Sequence, residues 1–516
     1  MVVHVAVVGS GLAGLTAAHT LASDPRLNAT VHIFEKNPRL GLDCASVKVS
    51  DSTVVDTPMR SLQSGYYPHT LRLYRELGIP LARHNYSYSF ARSSSSQPYL
   101  LYAGSNALSF PPVSLPAALL AAPSCNATSY VQYIFYILSI ALAYFYLLLA
   151  TCVSLFILPR AWLNELSMDE WCHLVHLPDT FIDDILYPLF SCVCTCSVQH
   201  VGDYPAVDIL QYIIKTFGQD HLTVKGGVST VATRLIAPIP TSQIHLNTSI
   251  ISLAQNTDTD KDTTHRRTRL HSETGEYWDF DHVILATPSL QAAEMLASLT
   301  STSDPRYQLI NSLLTTASLV VNHTDSSISP LSAQDVRDLN ILCSSPPPLF
   351  DENEDEDSPP LTPEPSHSPG LLSPIQDDMR VCGNGQISLD NAHKDHQHKH
   401  LYVQATHVIH TTKDDYAKMT SPAATIYQTT NPITMIDKDK VISTSWFSRA
   451  RATVNSRKIV QILDDLQGQD GIWFVGAWSV PGIPLLESCV KSAHNVTRNG
   501  ILPYELGNGN YLDQLL

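Results

Sequence analysis

The first fourteen residues, MVVHVAVVGSGLAG, limit the possible folds more than any other stretch. His4 to Val8 is a short apolar run rich in β-branched residues, which reads as a strand buried on both faces of a parallel sheet. Gly9-Ser10-Gly11-Leu12-Ala13-Gly14 follows at once, and Leu15, Ala17, Ala18, Leu21 and Ala22 then recur with helical spacing. The glycines therefore fall on a strand-to-helix turn. In such a turn Gly9 allows the tight bend, Gly11 removes a side chain that would block a phosphate, and Gly14 lets helix and strand close-pack. The first helical turn, which includes Leu12 and Ala13, meets an anion with unpaired backbone N–H groups.

A second strand, Thr30 to Phe34, ends in Glu35, 21 residues after Gly14. That spacing puts a carboxylate where it accepts hydrogen bonds from a ribose diol, and its charge disfavours a 2′-phosphate. The competing reading is a glycine-rich helix start followed by a surface Glu. Lys36 and Arg39 come next, and Arg39 either neutralises a pyrophosphate or stays on the surface.

The far end of the chain separates a flavin dinucleotide from a nicotinamide one. Gly471 to Gly482 reads GIWFVGAWSVPG: Ile472 to Val475 is a strand, Gly476 breaks it, and a helix starting near Pro484 carries Ser488 and runs through Ala493. Such a unit can return Gly476 and Ala477 to the nucleotide and bring another helix N-terminus to a flavin. A simple NAD domain needs no such return.

The two motifs together resemble the flavin-containing amine oxidase-like superfamily. Asp56-Thr57-Pro58-Met59-Arg60, Tyr67-Pro68 and Leu71 to Gly78 look like its D-T-G, Y-P and L-G stretch, with Pro58 in place of the usual Gly. Gly41 stands alone where many relatives have Gly-Gly. Lys225-Gly226-Gly227-Val228 looks like a turn before a helix. Ile244 to Leu253 looks like the strand whose backbone meets adenine, with Ile250 at the contact, and Phe280 to Pro288 looks like the late nucleotide strand. The nearest likeness is to a fungal-type subgroup of uncertain substrate. The resemblance implies FAD as cofactor, with Gly9, Gly11, Leu12, Ala13, Gly14, Glu35, Lys36, Arg39, Ile250, Gly476, Ala477 and Ser488 as its binding residues. It assigns no catalytic base. Trp478 is either a wall of the flavin ring or ordinary core. Tyr427, Trp446 and Arg449 lie in segments like the subgroup's substrate half.

The length of 516 residues accommodates two intertwined domains, and a formal charge of −16 excludes a nucleic-acid footprint. Ten cysteines in this length are no disulfide framework. Cys192, Cys194 and Cys196 alternate as along a strand and read as buried small hydrophobes rather than metal ligands. No cleavable signal peptide is expected, because the opening apolar run lacks a basic flank. Six Asn-x-Ser/Thr sequons, at Asn28, Asn85, Asn126, Asn247, Asn322 and Asn495, carry no weight without export.

Tyr133 to Leu158 holds 26 residues without a charge. As a helix it extends about 39 Å, beyond a hydrocarbon core of about 30 Å, so by length and composition it reads as one transmembrane helix. Tyrosines at its start and Arg160 after its end suit membrane interfaces. A single crossing would, however, put the glycine turn and the GAW segment on opposite sides. Ile185 to Val198, only 14 residues and interrupted by Pro188, is a poor second span. Three arrangements remain: a membrane-dipping helix or short hairpin, two helices lining an apolar tunnel, or a true span that defeats the flavin reading. Attachment from one face is favoured over a buried core segment, with the catalytic part cytoplasmic.

The expected fold is α/β: a Rossmann-type FAD-binding domain, a discontinuous α+β substrate domain and a hydrophobic membrane-associated helical segment. Its parts run 1–80 (nucleotide), 81–220 (substrate, with 133–158), 221–300 (nucleotide), 301–460 (substrate), 461–503 (nucleotide) and 504–516 (tail). Strands are expected at Ala317–Asn322, His400–His407 and Val441–Trp446. Residues 344–378, with six acids between Asp351 and Asp357, form a disordered insertion. Ser358, Thr362, Ser368 and Ser373 each precede Pro. His393, His396, His398 and His400 read as a polar loop edge, with metal ligation the alternative. The expected activity is hydride transfer from an apolar or amine substrate to flavin at a membrane surface, with membrane lipid as partner. Lipid or isoprenoid desaturation fits as well, and a non-catalytic membrane protein that keeps the nucleotide fold is the reading of another class.

Overall fold

A computed structural model of the chain describes residues 2–41, 47–48, 54–58, 60–95, 97–104, 113–117, 119, 127–255, 267–329, 331–344, 402–409 and 425–506. Residues 345–378 of the acidic insertion, with its Ser-Pro and Thr-Pro sites, the four clustered histidines from His393 to His400, Met59 and residues 507–516 of the tail lie outside that set; Ser344, expected as the first residue of the insertion, instead ends a strand.

Five short strands form a parallel sheet: β1 (Val3–Val8), β2 (Ala29–Phe34), β3 (Ile244–His245), β4 (His282–Leu285) and β5 (Ile472–Phe474). Their order is β3-β2-β1-β4-β5. Alternation along β1 shows why its sequence is apolar throughout. Val3, Val5 and Val7 enter one core with Leu15 and Ala18 of helix α1 (Leu12–Ser23), whereas Ala6 and Val8 enter another with Leu253, Phe280 and Leu296. That second core lies under an antiparallel sheet of Ile250–Gln255, Thr268–Ser272 and Tyr277–Phe280. It also takes in Ile310 of helix Pro305–Asn311 and Leu463.

A seven-stranded sheet forms the other half. Its order is Val441–Ala450, Thr315–His323, Ile426–Thr430, Tyr402–Ile409, Leu339–Ser344, Tyr88–Arg92 and Pro98–Tyr102. Asp56 and Thr57 tie it to the nucleotide side. The Asp56 carboxylate accepts from Val228 N at 2.9 Å, its carbonyl accepts from Gln428 Nε2 at 2.9 Å, and Thr57 Oγ1 accepts from Asn322 Nδ2 at 2.9 Å.

The apolar run is one unbroken helix, α2 (Ala127–Phe156), neither a hairpin nor two helices. No residue in the run offers a turn: glycine and proline are absent from Tyr133 to Leu158. Ala143, Leu147, Thr151 and Ser154, spaced on one helical face, are buried. They face a helical layer that includes α3 (Ala206–Thr216). Phe135, Leu138, Leu142, Phe145, Leu149 and Phe156 on its other faces are exposed.

Two further expectations are corrected. Cys192 and Cys194 lie on helix Tyr187–Cys194, not a strand, and Thr195 then turns left-handed at φ 52° before Cys196. Alternate residues of an apolar run look alike in a short helix and a strand, and here Pro188 in the first helical turn, after a π-helical turn Ile182–Leu186, decides for the helix. Among the described residues no three His, Cys, Asp or Glu side chains gather as for a metal ion. Ile244 to Leu253 is likewise not one strand. Left-handed Asn247 (φ 51°) splits it into β3 and the strand that begins at Ile250.

Candidate functional site

The site is built on the carboxyl ends of β1, β4 and β5. Gly9 has φ +104°, and a Cβ there would lie 2.8 Å from the Ala286 carbonyl oxygen at the end of β4. A Cβ on Gly14 would lie 2.2 Å from the Gly9 carbonyl oxygen. Both turns of backbone are therefore closed to any side chain. Gly11 caps α1 without a side-chain hydrogen bond, and the first intrahelical bond is Leu15 N to Gly11 O. The N–H groups of Leu12, Ala13 and Gly14 thus have no helical acceptor and sit at the positive end of the helix dipole.

Glu35, about 8% exposed, lies beside this turn. Its Oε2 accepts from Ser10 N at 3.1 Å and from Ser10 Oγ, while its Oε1 accepts from Asn37 N at 2.9 Å and Asn37 Nδ2 at 2.6 Å. Four donors fill the roughly four acceptor positions of a carboxylate. A ribose diol takes its place only when the Ser10 hydroxyl or the Asn37 amide rotates away; the two backbone donors stay. Lys36 and Arg39 are exposed on the loop beyond. Ile250 is buried with Phe34, and Thr248 N and Asn247 N donate to the Glu35 and Asn37 carbonyls at 2.9 and 3.2 Å. The corner at Asn247 thus runs alongside the Glu35 loop.

From the other end of the chain, β5 pairs with β4 and Val475 N donates to Leu285 O at 3.1 Å. Gly476 has φ +153°, its N–H donates to Ser492 Oγ at 3.0 Å, and a Cβ there would meet Trp478 Nε1 at 2.8 Å. Ala477 is half-buried. Trp478 is buried against Phe474 and donates to Thr287 O at 3.0 Å. The helix expected from Pro484 begins two residues later, as α4 (Val454–Asp464) is followed by α5 (Leu486–His494). Ser488 is buried on α5 and donates to Ile483 O at 2.8 Å. α5 packs on α1. Gly9, Ala286 and Gly476 therefore stand at the ends of adjacent strands, although 467 residues separate the first from the last.

Three groups here were given no role from the sequence. Glu487, buried on α5, accepts from His69 N, Thr70 N and Thr70 Oγ1 at 2.9 to 3.0 Å, which fixes α5 to helix Pro68–Glu76. The Thr287 hydroxyl is buried without a hydrogen-bond partner beside the β4 terminus. Asn322 and Gln428 bind each other at 2.9 Å and face Asp56 and Thr57. Tyr427, one residue away, projects to the opposite face of the sheet and stacks on His323. Trp446 is exposed, and Arg449 lies over Phe447.

The turn, the uncapped first helical turn and the Glu35 carboxylate fit a dinucleotide. Residues 7–77 match the NAD(P)-binding Rossmann-like domain family. No curated protein matches the chain in sequence. Solved structures share the fold at low identity. A protein described as a protoporphyrinogen oxidase from Exiguobacterium sp. 255-15 is 13% identical, with a TM-score of 0.55, over 97% of this chain and 99% of its own. A fatty acid isomerase producing CLA, from P. acnes, is 12% identical with a TM-score of 0.55, over 96% and 98%. Cyclohexylamine oxidase from Brevibacterium oxydans IH-35A is 11% identical with a TM-score of 0.52, over 96% and 99%. The chain thus has the fold of these proteins along nearly its whole length.

Proposed function

We propose that this protein is an FAD-dependent oxidoreductase of the amine oxidase-like superfamily, acting on an apolar or amine substrate at a membrane surface. The observation that carries the reading is the meeting of Gly9, Ala286 and Gly476 at one edge of a parallel sheet, where nucleotides bind in open α/β folds. The fold shared with the enzymes above supports it; the fungal-type subgroup rests on the motifs alone. In this reading Gly9, Gly11 and the N–H groups of Leu12, Ala13 and Gly14 receive the pyrophosphate, with Lys36 and Arg39 adding positive charge. Glu35 holds the ribose, and the backbone near Ile250 borders the adenine. Gly476, Ala477 and the α5 terminus with Ser488 approach the flavin. A bound flavin supplies the hydride acceptor, while the protein binds, orients and excludes water. The nucleotide part is drawn from 1–80, 221–300 and 461–503, with the substrate part between.

Purified protein is expected to show the absorbance of oxidised flavin and to release FAD, identified by mass, on denaturation. Colourless protein that takes up no added FAD overturns the reading. Anaerobic bleaching by candidate amines and lipids then separates an enzyme from a non-catalytic flavin-fold protein. Glu35→Gln keeps the volume but removes the charge that strengthens these hydrogen bonds, and is expected to weaken FAD binding about tenfold in a fluorescence titration.

Membrane attachment through α2 is part of the proposal. Along its length α2 is fixed to protein: Tyr133 OH donates to Ser114 O at 3.1 Å, Tyr136 OH to Asp184 Oδ2 at 3.2 Å, and Tyr146 OH to Val175 O at 2.6 Å. Trp171 Nε1 donates to Ser154 Oγ at 2.9 Å. A crossing helix would carry these polar partners into hydrocarbon. A helix lying in the interface instead buries only its exposed face, and keeps both chain ends on one side. That face also favours a lipid-soluble substrate. Leu142→Glu with Phe145→Glu, both about two-thirds exposed, is expected to lower partition onto phosphatidylcholine vesicles by about a hundredfold or more, at roughly 1.5–3 kcal/mol per side chain, with an unchanged melting temperature. Unchanged co-sedimentation overturns the attachment.

A further inference from the structure

The exposed apolar stripe of α2 stands among acids. No charged residue occurs from Ser93 to Pro159. Arg160 follows, and between it and Lys215 the sequence holds eight acids and no Lys or Arg. A helix that adheres to an anionic lipid surface carries the reverse, clustered Lys and Arg on or beside its apolar face.

The placement of those acids follows from how α2 is held. Ser154, Tyr146 and Tyr136 of α2 are bonded in turn to Trp171, to the Val175 carbonyl and to Asp184. Residues 171–184 therefore run back along the flank of α2, from its end toward its start. Asp169 and Glu170 lie at the beginning of that flank and Asp179 lies midway. Basic residues from elsewhere in the chain cancel Glu165 and Asp184, through Lys458 and Arg92, and Asp203 and Asp208, through Arg451 and Arg457. By contrast, Asp169 accepts from Tyr187 Oη, Glu170 accepts from Ser167 N at 2.8 Å, and Asp179 is exposed. Neither donor is a cation, so these three charges stand along the stripe with Arg160 as the one Lys or Arg of the segment.

The stripe has no charge to answer them. Phe135, Leu138, Leu142, Phe145, Leu149 and Phe156 recur at steps of three, four and seven, over about 32 Å of helix, opposite the buried Ala143, Leu147, Thr151 and Ser154. Ile157, next to Phe156, is 74% exposed, so the apolar surface continues past the helix end. Whatever covers this face must be apolar within and neutral or positive at its rim. A second copy fits poorly, because it brings a further formal charge of −16 and an identical acidic flank. A zwitterionic phospholipid surface fits. Its acyl region takes the Phe and Leu side chains, and its headgroups carry no net charge and hold their ammonium groups outermost, toward the acids. An anionic leaflet has a negative surface potential that reaches charges within a Debye length, about 8 Å at physiological salt.

We infer that the stripe docks on a zwitterionic phospholipid surface and that the acids along its flank disfavour anionic lipid. The inference rests on the attachment proposed above and names the lipid it selects.

Co-sedimentation of the full chain tests it, with vesicles of phosphatidylcholine and vesicles in which about a third of that lipid is phosphatidylserine, each at about 20 mM and about 500 mM salt. Partition onto phosphatidylcholine is expected to change less than about twofold with salt, because apolar burial is not screened. Partition onto the serine-containing vesicles is expected to be about tenfold weaker at low salt, with the gap closing at high salt. Asp179→Lys, at an exposed position outside the nucleotide site, is expected to narrow the low-salt gap about threefold at an unchanged melting temperature. Tighter binding to the serine-containing vesicles, or a gap that Asp179→Lys leaves unchanged, overturns the inference alone. Absence of binding to both vesicles, or self-association that Leu142→Glu with Phe145→Glu abolishes, overturns the attachment and the inference together.

Discussion

Gly14→Ala is expected to give a protein that retains no flavin and unfolds at a markedly lower temperature. The added Cβ would meet the Gly9 carbonyl oxygen at 2.2 Å and Val7 Cγ1 at 3.2 Å, and neither backbone nor buried core can yield without opening the β1–α1 turn. Overpacking of this kind costs about 1–3 kcal/mol or more. Gly9→Ala adds a left-handed φ of +104° to a 2.8 Å contact with Ala286 O, and the same outcome is expected. Gly78→Ala is the control: its φ is +65° but nothing lies within 4 Å, so only the conformational cost of about 1 kcal/mol remains and flavin retention is unaffected. Thermal melts and flavin content of the three variants check this. A Gly14→Ala protein that keeps its flavin would remove the turn from the site.

Acid is expected to unfold the protein between pH 6.5 and 4 through histidines that desolvation keeps neutral; His32 and His407 are lowered to about 4, and so are two histidines with buried side chains. Desolvation lowers His323 from 6.5 to about 4. Its Nδ1 accepts from Asp325 N at 3.1 Å and its Nε2 contacts Thr429 Oγ1 at 2.9 Å, so a proton on Nδ1 would set two N–H groups against each other. Desolvation, then the nearby Arg498 and His69, lower His494 to about 4 as well, and its Nε2 is buried without a partner. Both are neutral in the folded chain over this range, whereas the unfolded chain takes up protons below 6.5. Stability is therefore complete above pH 6.5 and falls as pH drops toward 4, by up to about 3 kcal/mol for each histidine. Together that approaches a typical total of roughly 5–15 kcal/mol. His494→Leu is expected to flatten the fall of melting temperature over this interval. A slope equal to that of the unsubstituted protein would show that His494 contributes nothing.

Segments whose local chemistry leaves one choice were legible from the residues themselves. β1, the glycine turn and α1 needed only an apolar run, glycines where backbone meets backbone, and helical spacing. The strands expected at Ala317–Asn322 and Val441–Trp446 lie within longer ones, Thr315–His323 and Val441–Ala450. Where two periods fit a short stretch, the sequence misled: Cys192 and Cys194 alternate equally well in a strand or a helix, and Ile244 to Leu253 hides its corner at an Asn that accepts a left-handed φ.

What the chain determined alone was the nucleotide fold's starting unit and the presence of one long apolar segment, because both depend on neighbours in sequence. Only the tertiary structure decided that α2 is a single helix held along one face, that Glu35 is filled by Ser10 and Asn37, and that Asn322 and Gln428 rather than Tyr427 face Asp56. Those facts depend on contacts between residues as much as a few hundred positions apart, and no local pattern encodes which distant backbone or side chain satisfies a given polar group.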